Sequence, residues 1–511
     1  MTPKIRQQLA SAQRRRQRRL DRANRPTPGQ PMFAAQNIHY EIATRQRGIA
    51  CGGIGAIHLL AQRIGLVAAI DERLHLLQVH HGYRESDHVL AFAYNALCGG
   101  TCLDDFELLR SDEAFLDALG ARRFPDPTTA GDFRRRFQEP DLQTLHAIAD
   151  TVRQRVWAEQ PAAFFAQATI DMDGTLVPTG GQCKQGMDIA YDGTWGYHPL
   201  VLTLAETGEV LRLVNRSGNR PSHEGAAAQV DQVIALCQGA GFRRVRLRGD
   251  TDFSQTAHLD RWHDAGVQFL FGYDAAPGLC ARADALPAHA WRPLPRPPRS
   301  PVASAPRRRP TNVKEQVVAD REFKTLRLER EDVAEFPYQP TACQRAYRLV
   351  VVRKTITVTQ GQQTLYPDTR YCFYLTNDGA PEREAIVLGP AGANGRCDQE
   401  NILAQLAGGV RALAAPVNTL LANGAYMLLT ALAWNLKAWA ALLLPAAPGR
   451  WQARRQEEKR WLQRLEFRTF VNTLMRLPCQ IVRTGRRLVY RLLACPPALP
   501  ILFRLLVRLR C

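Results

Sequence analysis

The sequence predicts an α/β fold in which a mixed sheet, interrupted by a β-rich insertion, follows an all-α region and precedes a basic helical C-terminus. Three observations point to it. From about 50 to 160, apolar residues recur at helical spacing, as in Ile54, Ile57 and Leu60. At about 163 the period shortens, and the apolar stretches that follow spell the order βββαβαβ. A second β-rich stretch, between about 325 and 376, separates this pattern from a helical layer that resumes near Cys397.

Residues 1–35 carry Arg14-Arg15-Arg16 and Arg18-Arg19 and little apolar surface, which predicts a tail disordered until it meets phosphates. Residues 36–160 are expected to form a helical DNA-binding domain, with Ser86 capping a run to Leu97, and Gly99, Gly100 and Gly120 as stops. A helix over 103–119 is followed by a turn with Pro125 and Pro127, then by a short helix opened by Thr128 or Thr129 and bearing Arg134, Arg135 and Arg136. Helix, turn and basic helix suit major-groove docking, where an arginine fork reads guanine edges. A solvated charged face is the ordinary alternative.

Within 161–275, strands are predicted at 164–173, 199–204, 210–214, 245–247 and 267–271, and helices at 226–237 and 255–264. Residues 276–380 begin with prolines and the basic cluster Arg307-Arg308-Arg309, then turn β-rich at 325–328, 347–358 and 370–376. Residues 381–448 are helical. Their apolar part is interrupted by Asn418, Asn423, Asn435 and Lys437, so it reads as buried core helix rather than the ~20 apolar residues of a membrane span. In 449–511, Leu462, Leu465, Phe470 and Leu474 give an amphipathic helix beside Arg454-Arg455 and Lys459-Arg460.

A chain of 511 residues has room for several domains, and 67 Lys+Arg against 48 Asp+Glu leave +19, the footprint of a polyanion binder. The 12 cysteines show no repeated C-x-x-C pairing, which speaks against a disulfide scaffold or a zinc ribbon and for a reducing cytoplasm. No apolar leader follows the basic N-terminus, so neither secretion nor a membrane is expected.

The chemistry is concentrated in three acidic loci: Ile170-Asp171-Met172-Asp173-Gly174-Thr175, Arg248-Gly249-Asp250-Thr251-Asp252-Phe253 and Arg396-Cys397-Asp398-Gln399-Glu400-Asn401. Phosphodiester cleavage and strand transfer stabilise attacking and leaving oxygens together, and two divalent ions on carboxylates do both. Asp171 and Asp173 alternate to one side of a strand, so either is a candidate ligand. Asp173 is favoured because Gly174 would let a phosphate backbone approach, with Asp171 as alternate. Asp250 ends a strand in the same way, and Glu400 lies one helical turn after Arg396, whose guanidinium would hold substrate phosphate. Singly, such acids commonly cap helices or close turns, and Asp252 is read as a cap. Trp195 and His198, in Trp195-Gly196-Tyr197-His198-Pro199, offer base stacking and a polar group near the acids; a packed turn is the alternative reading.

With these residues in place, the chain resembles bacterial insertion-sequence transposases of the DDE type, most of all the 1380 family, over about 50 to 495. The marks are Asp171-Met172-Asp173-Gly174-Thr175, Gly196-Tyr197-His198-Pro199-Leu200, the segment around Asp250, Gln399-Glu400-Asn401 and Ala433-Trp434-Asn435-Leu436. The resemblance implies an RNase H-like core with Asp173, Asp250 and Glu400 as a triad for Mg²⁺, with Mn²⁺ as a substitute. It further implies cut-and-paste movement between terminal inverted repeats and target DNA, a homodimer on double-stranded DNA, and a nucleoid-associated place in the cytoplasm. Ala393 and Ala407 stand where the wider superfamily has tyrosine and lysine. That departure keeps in view an inverted-repeat-binding repressor without activity, and an RNase H-like nuclease that does not transpose is a third reading.

Overall fold

The computed structural model describes residues 3–23, 39–40, 46–80, 82–181, 183–295, 325–360, 368–380, 382–389, 391–447, 449–485 and 487–510. The cluster Arg307-Arg308-Arg309 lies outside them.

Within the segment 1–35, expected to be a disordered tail, Pro3–Ala23 is a helix, α1, and residues 24–35 lie outside the described residues. Gln, Ala, Leu and Arg are strong helix formers, and neither Gly nor Pro interrupts them after Pro3. A short strand β1 (Gly48–Ile49) leads into α2 (Ile54–Arg63), α3 (Leu66–Arg73) and α4 (Glu85–Cys98). The single helix expected over 103–119 is two, α5 (Phe106–Arg110) and α6 (Glu113–Leu119). Asp112 breaks it by turning extended and accepting the Phe115 amide at 3.0 Å as an N-cap. Similarly, α7 (Pro127–Arg135) is opened by Asp126 rather than a threonine. Its carboxylate takes the Thr129 amide at 2.9 Å and the Thr129 hydroxyl at 2.7 Å. The long α8 (Glu139–Ala158) then leads to the sheet.

The order βββαβαβ is present. It comprises β2 (Ala168–Gly174), then, after the small strands β3 (Val177–Pro178), β4 (Asp188–Ile189) and β5 (Trp195–Tyr197), β6 (Leu200–Leu204), β7 (Glu209–Val214), α9 (Ala226–Gly239), β8 (Val245–Gly249), α10 (Thr256–Asp264) and β9 (Gln268–Tyr273). In space the main strands lie in the order β7-β6-β2-β8-β9; β6 and β7 run antiparallel, whereas β2, β8 and β9 run parallel. The small strands form a separate sheet, β3-β5-β4.

The β-rich stretch is not a separate sheet. After α11 (Pro277–Asp284) and the two-residue β10 (Arg292–Pro293), strands β11 (Thr325–Tyr338), β12 (Tyr347–Gln360) and β13 (Asp368–Thr376) extend the core into one nine-stranded mixed sheet. The junction is β13 on β9, antiparallel from Phe373↔Tyr273 to Thr376↔Leu270. An uncovered β9 would expose an edge carrying Phe269, Leu270 and Phe271, all of them buried here. Asn377 locks the corner, accepting the Phe269 amide at 2.8 Å.

Past α12 (Arg383–Leu388) and α13 (Cys397–Ala404), the apolar stretch becomes α14 (Leu420–Leu442), a buried core helix. Among the described residues no single helix is long and apolar enough to cross a membrane. Asn435 of α14 clamps β7, accepting the Val210 amide at 2.9 Å and donating to its carbonyl at 3.0 Å. Beside it, fully buried Glu209 accepts from Arg153, Trp157 and Trp439 at 2.8 to 3.1 Å, so its charge is fully partnered.

The C-terminal part was expected to be helical throughout and is not. Beyond α15 (Gln452–Arg464) and α16 (Phe467–Phe470), a hairpin β14 (Cys479–Thr484) and β15 (Arg487–Leu492) precedes α17 (Leu499–Leu509). Val482, Val489 and Tyr490 favour extended backbone. The hairpin adds β1 as a third strand through Gly48↔Gln480 and Ile49↔Cys479, and the Tyr490 hydroxyl donates to Ala118 O at 2.6 Å. Leu462, Leu465, Phe470 and Leu474 are buried as expected, but not on one helix, because the chain turns extended at Leu465 between α15 and α16.

Candidate active site

Two parallel neighbours set the frame. Asp171 of β2 stands opposite Arg248 of β8 in register, and Asp173 and Asp250 each lie two residues further toward the same sheet edge. Their environments then diverge. Asp171 is buried and accepts from Nε and Nη2 of Arg248, at 2.6 and 2.8 Å. Asp173 is only part-buried, and burial first, with the nearby charge of Asp250, pushes its pKa up to about 6 against the opposing pull of Arg396. Asp250 is also raised by burial, again opposed by Arg396. It also caps the one-turn helix Thr251–Phe253 by accepting the Asp252 amide at 3.1 Å. Asp252 does not cap the helix near Gln255 as expected, since no side chain caps α10.

The third locus comes from outside the strands. A one-turn helix, Ala393–Arg396, runs into α13 and points Arg396 back at the sheet edge, where Nη1 meets Asp173 Oδ2 at 2.9 Å. Burial works against the guanidinium's charge, but Asp173, Asp250 and Glu400 together hold its pKa above the ordinary value. Glu400 itself is exposed, one turn along α13. Of the three acids Asp173 contacts the guanidinium, and Asp250 and Glu400 act on it through their charge. Among the described residues, no group of three or more His, Cys, Asp or Glu is drawn close enough to hold a metal ion.

Two residues that sequence reasoning passed over build this edge. Arg248, besides gripping Asp171, donates to Gly392 O at 2.9 Å, tying the start of the Arg396 turn to the sheet. Gln399 is fully buried and donates to Asp171 O and Val201 O, both at 3.1 Å, which seats α13 on β2 and β6. Arg248 has a legible signal, since it precedes Asp250 by the two residues that separate Asp171 from Asp173.

The remaining candidates fall differently. His198 is buried, with Nδ1 2.9 Å from Arg220 O. Its ring occupies the space over Gly174, where an added Cβ would lie 2.5 Å from Nε2, so that glycine admits a histidine rather than a phosphate backbone. Trp195, on β5, is 51% exposed and open to a partner, whereas Tyr197 on the same strand is buried and donates to Gln185 O at 2.8 Å. In α7, Arg134 cannot enter a groove: it is buried, 5.7 Å over the Tyr426 ring. Arg135 and Arg136 are exposed, the former paired with Asp132 at 2.5 Å and the latter reaching Leu76 O at 3.4 Å.

No curated protein matches the chain. A solved structure, the piggyBac transposase synaptic complex with hairpin DNA, aligns over 84% of each chain at 12% identity and a TM-score of 0.35, too distant to carry an argument. The family model described as Transposase DDE domain group 1 matches residues 47–511. It spans the strands, the Arg396 turn and the C-terminal hairpin alike, and the chain belongs to that transposase family.

Proposed function

We propose that this protein is a cut-and-paste DDE transposase that cleaves DNA at the terminal inverted repeats of an insertion sequence and joins the ends to target DNA. Asp173, Asp250 and Glu400 are its catalytic carboxylates. The observation that carries this reading is that Asp173 and Asp250 stand at the same end of two adjacent parallel strands, with Arg396, one turn before Glu400 on the neighbouring helix, paired to Asp173 at 2.9 Å. The order β7-β6-β2-β8-β9, antiparallel on one side of β2 and parallel on the other, supports an RNase H-like core.

The donors are of the type a divalent cation such as Mg²⁺ or Mn²⁺ takes, hard carboxylate oxygens, though in this arrangement they are not gathered closely enough to ligate one and would have to draw together. Asp173, Asp250 and Glu400 would hold it. When bound, such ions stabilise the attacking and leaving oxygens of phosphoryl transfer. Asp171 is left out of the ligand set because both its oxygens are engaged by Arg248. Arg396 offers a guanidinium to substrate phosphate, and a phosphate competing for it would release Asp173. Arg135, Arg136 and Trp195 are exposed and available to DNA. Two ends must be held at once, which calls for a homodimer, and the substrate places the protein at the nucleoid in the cytoplasm.

The test is incubation of purified protein with labelled element ends and Mg²⁺. Asp173→Ala, Asp250→Ala and Glu400→Ala are each expected to abolish cleavage while DNA binding persists, and cleavage retained in any of them removes that residue from the site. Bound but uncut DNA with the wild-type chain would favour the repressor. Cut ends never joined to target would favour the nuclease.

A further inference from the structure

α1 is a 21-residue helix in two halves of opposite character. Its first half is anchored: Ile5 and Leu9 are half-buried, Leu9 packs on the main core, and the Cys495 thiol approaches Leu9 O at 4.0 Å. Its second half is charge. Arg14, Arg15, Arg16, Arg18 and Arg19 are all exposed, and among the described residues none is paired with a carboxylate. The helix is about 32 Å long at 1.5 Å per residue.

At 100° per residue, these five arginines span about 200° of the helix surface. The arc of about 160° that they leave without an arginine makes the charge wider than one side of the helix. Arg14 and Arg18, like Arg15 and Arg19, are like-charge neighbours four residues apart, a pairing that isolated helices disfavour. A flat anionic surface would meet only one side of such a helix. A groove with phosphates on both walls meets nearly all of it, and the DNA major groove, about 12 Å wide, admits a helix of about 10–12 Å.

We propose that the C-terminal half of α1 is a DNA-binding prong that lies in the major groove of a duplex, its arginines neutralising phosphates on both walls. This rests on the reading that the chain handles DNA, and it assigns that contact to α1, where α7 offers only Arg135 and Arg136. Anchoring at Ile5 and Leu9 ties the bound duplex to the body of the protein.

The test compares the full chain with a variant carrying Arg14→Gln, Arg15→Gln, Arg16→Gln, Arg18→Gln and Arg19→Gln, whose unchanged circular dichroism confirms folding. Binding to a random-sequence duplex is followed by fluorescence anisotropy across a salt series, and guanine N7 methylation protection reports the major groove. The proposal expects the slope of log Kd against log salt to fall by about 4–5 in the variant, at ~0.9 per phosphate contact, and the N7 protection to disappear. An equal slope and footprint in both proteins would overturn the prong while leaving DNA handling intact. Absence of duplex binding by the wild-type chain would overturn both. Wild-type binding to phosphatidylserine–phosphatidylcholine vesicles but not to duplex would assign α1 to a membrane surface and overturn the proposal.

Discussion

Arg248 grips Asp171 with Nε and Nη2 while its Nη1 holds Gly392 O, so one buried guanidinium joins β2, β8 and the turn that carries Arg396. Both side chains are almost fully buried, at 1% and 2% exposure. Removing one partner strands a charge in the sheet. Asp171→Ala or Arg248→Met is expected to cost about 3–5 kcal/mol in denaturant unfolding. The double variant Asp171→Leu/Arg248→Met should cost less than either single change, because no charge is left unpaired. A purely additive loss would show that the two residues act independently.

Gln399 seats the helix of Glu400 on the sheet through two carbonyls. Gln399→Leu leaves those carbonyls unpaired and should cost about 1–3 kcal/mol. DNA cleavage should fall more than DNA binding does, since α13 carries Glu400 and adjoins Arg396. Equal loss of both, measured on the same labelled duplex, would argue against a role confined to positioning α13.

His88 gives an acid limit to stability. It is 2% exposed, stacks on Phe133 at 4.4 Å, and burial, aided by Arg136, brings its pKa down to about 4. Between pH ~6.5 and 4 the unfolded chain holds a proton that the folded one lacks, so the stabilisation present above pH ~6.5 is lost as pH falls. The loss from this residue is about 1.4 kcal/mol per pH unit across that window. His88→Phe keeps the stacking and should flatten this part of the stability profile, as read by Tm between pH 4 and 7.

Lys437 shows the same sign in an alkaline window. It is 1% exposed, has its ammonium 4.0 Å over the Trp434 ring, and burial lowers its pKa to about 7. From about pH 7 to 10.5 the unfolded chain binds the proton and the folded chain does not, so wild-type stability rises through that range. Lys437→Met should therefore stabilise most at pH 7 and below, by about 1–3 kcal/mol, with the advantage shrinking toward pH 10. A stability gain independent of pH would assign the effect to packing alone.

The strand order and the acids at strand ends were legible because period-two apolar runs and Gly turns are local signals, as at 245–249 and 268–273. The fate of each polar side chain was not. Asp171 and Asp173 look alike in the sequence, and only register against Arg248 separates a buried strut from a part-exposed acid. Arg134 and Arg135 are neighbours in an arginine run, yet α14 brings Tyr426 over one and leaves the other in solvent. The inserted strands joined the core sheet because β9 has an apolar edge to cover, a fact of pairing that no local pattern in 325–376 announces.

The three-stranded sheet that joins β1 to the hairpin has a consequence for synthesis. Gly48 and its partner Gln480 are roughly 430 residues apart in the chain. At about 5–20 residues per second, the ribosome delivers the second roughly 20–90 s after the first. Throughout that interval the strand at Ile49 and the nearby Cys51 lack their lid, so a message truncated before residue 479 would release a nascent chain open at its N-terminal edge and prone to aggregation.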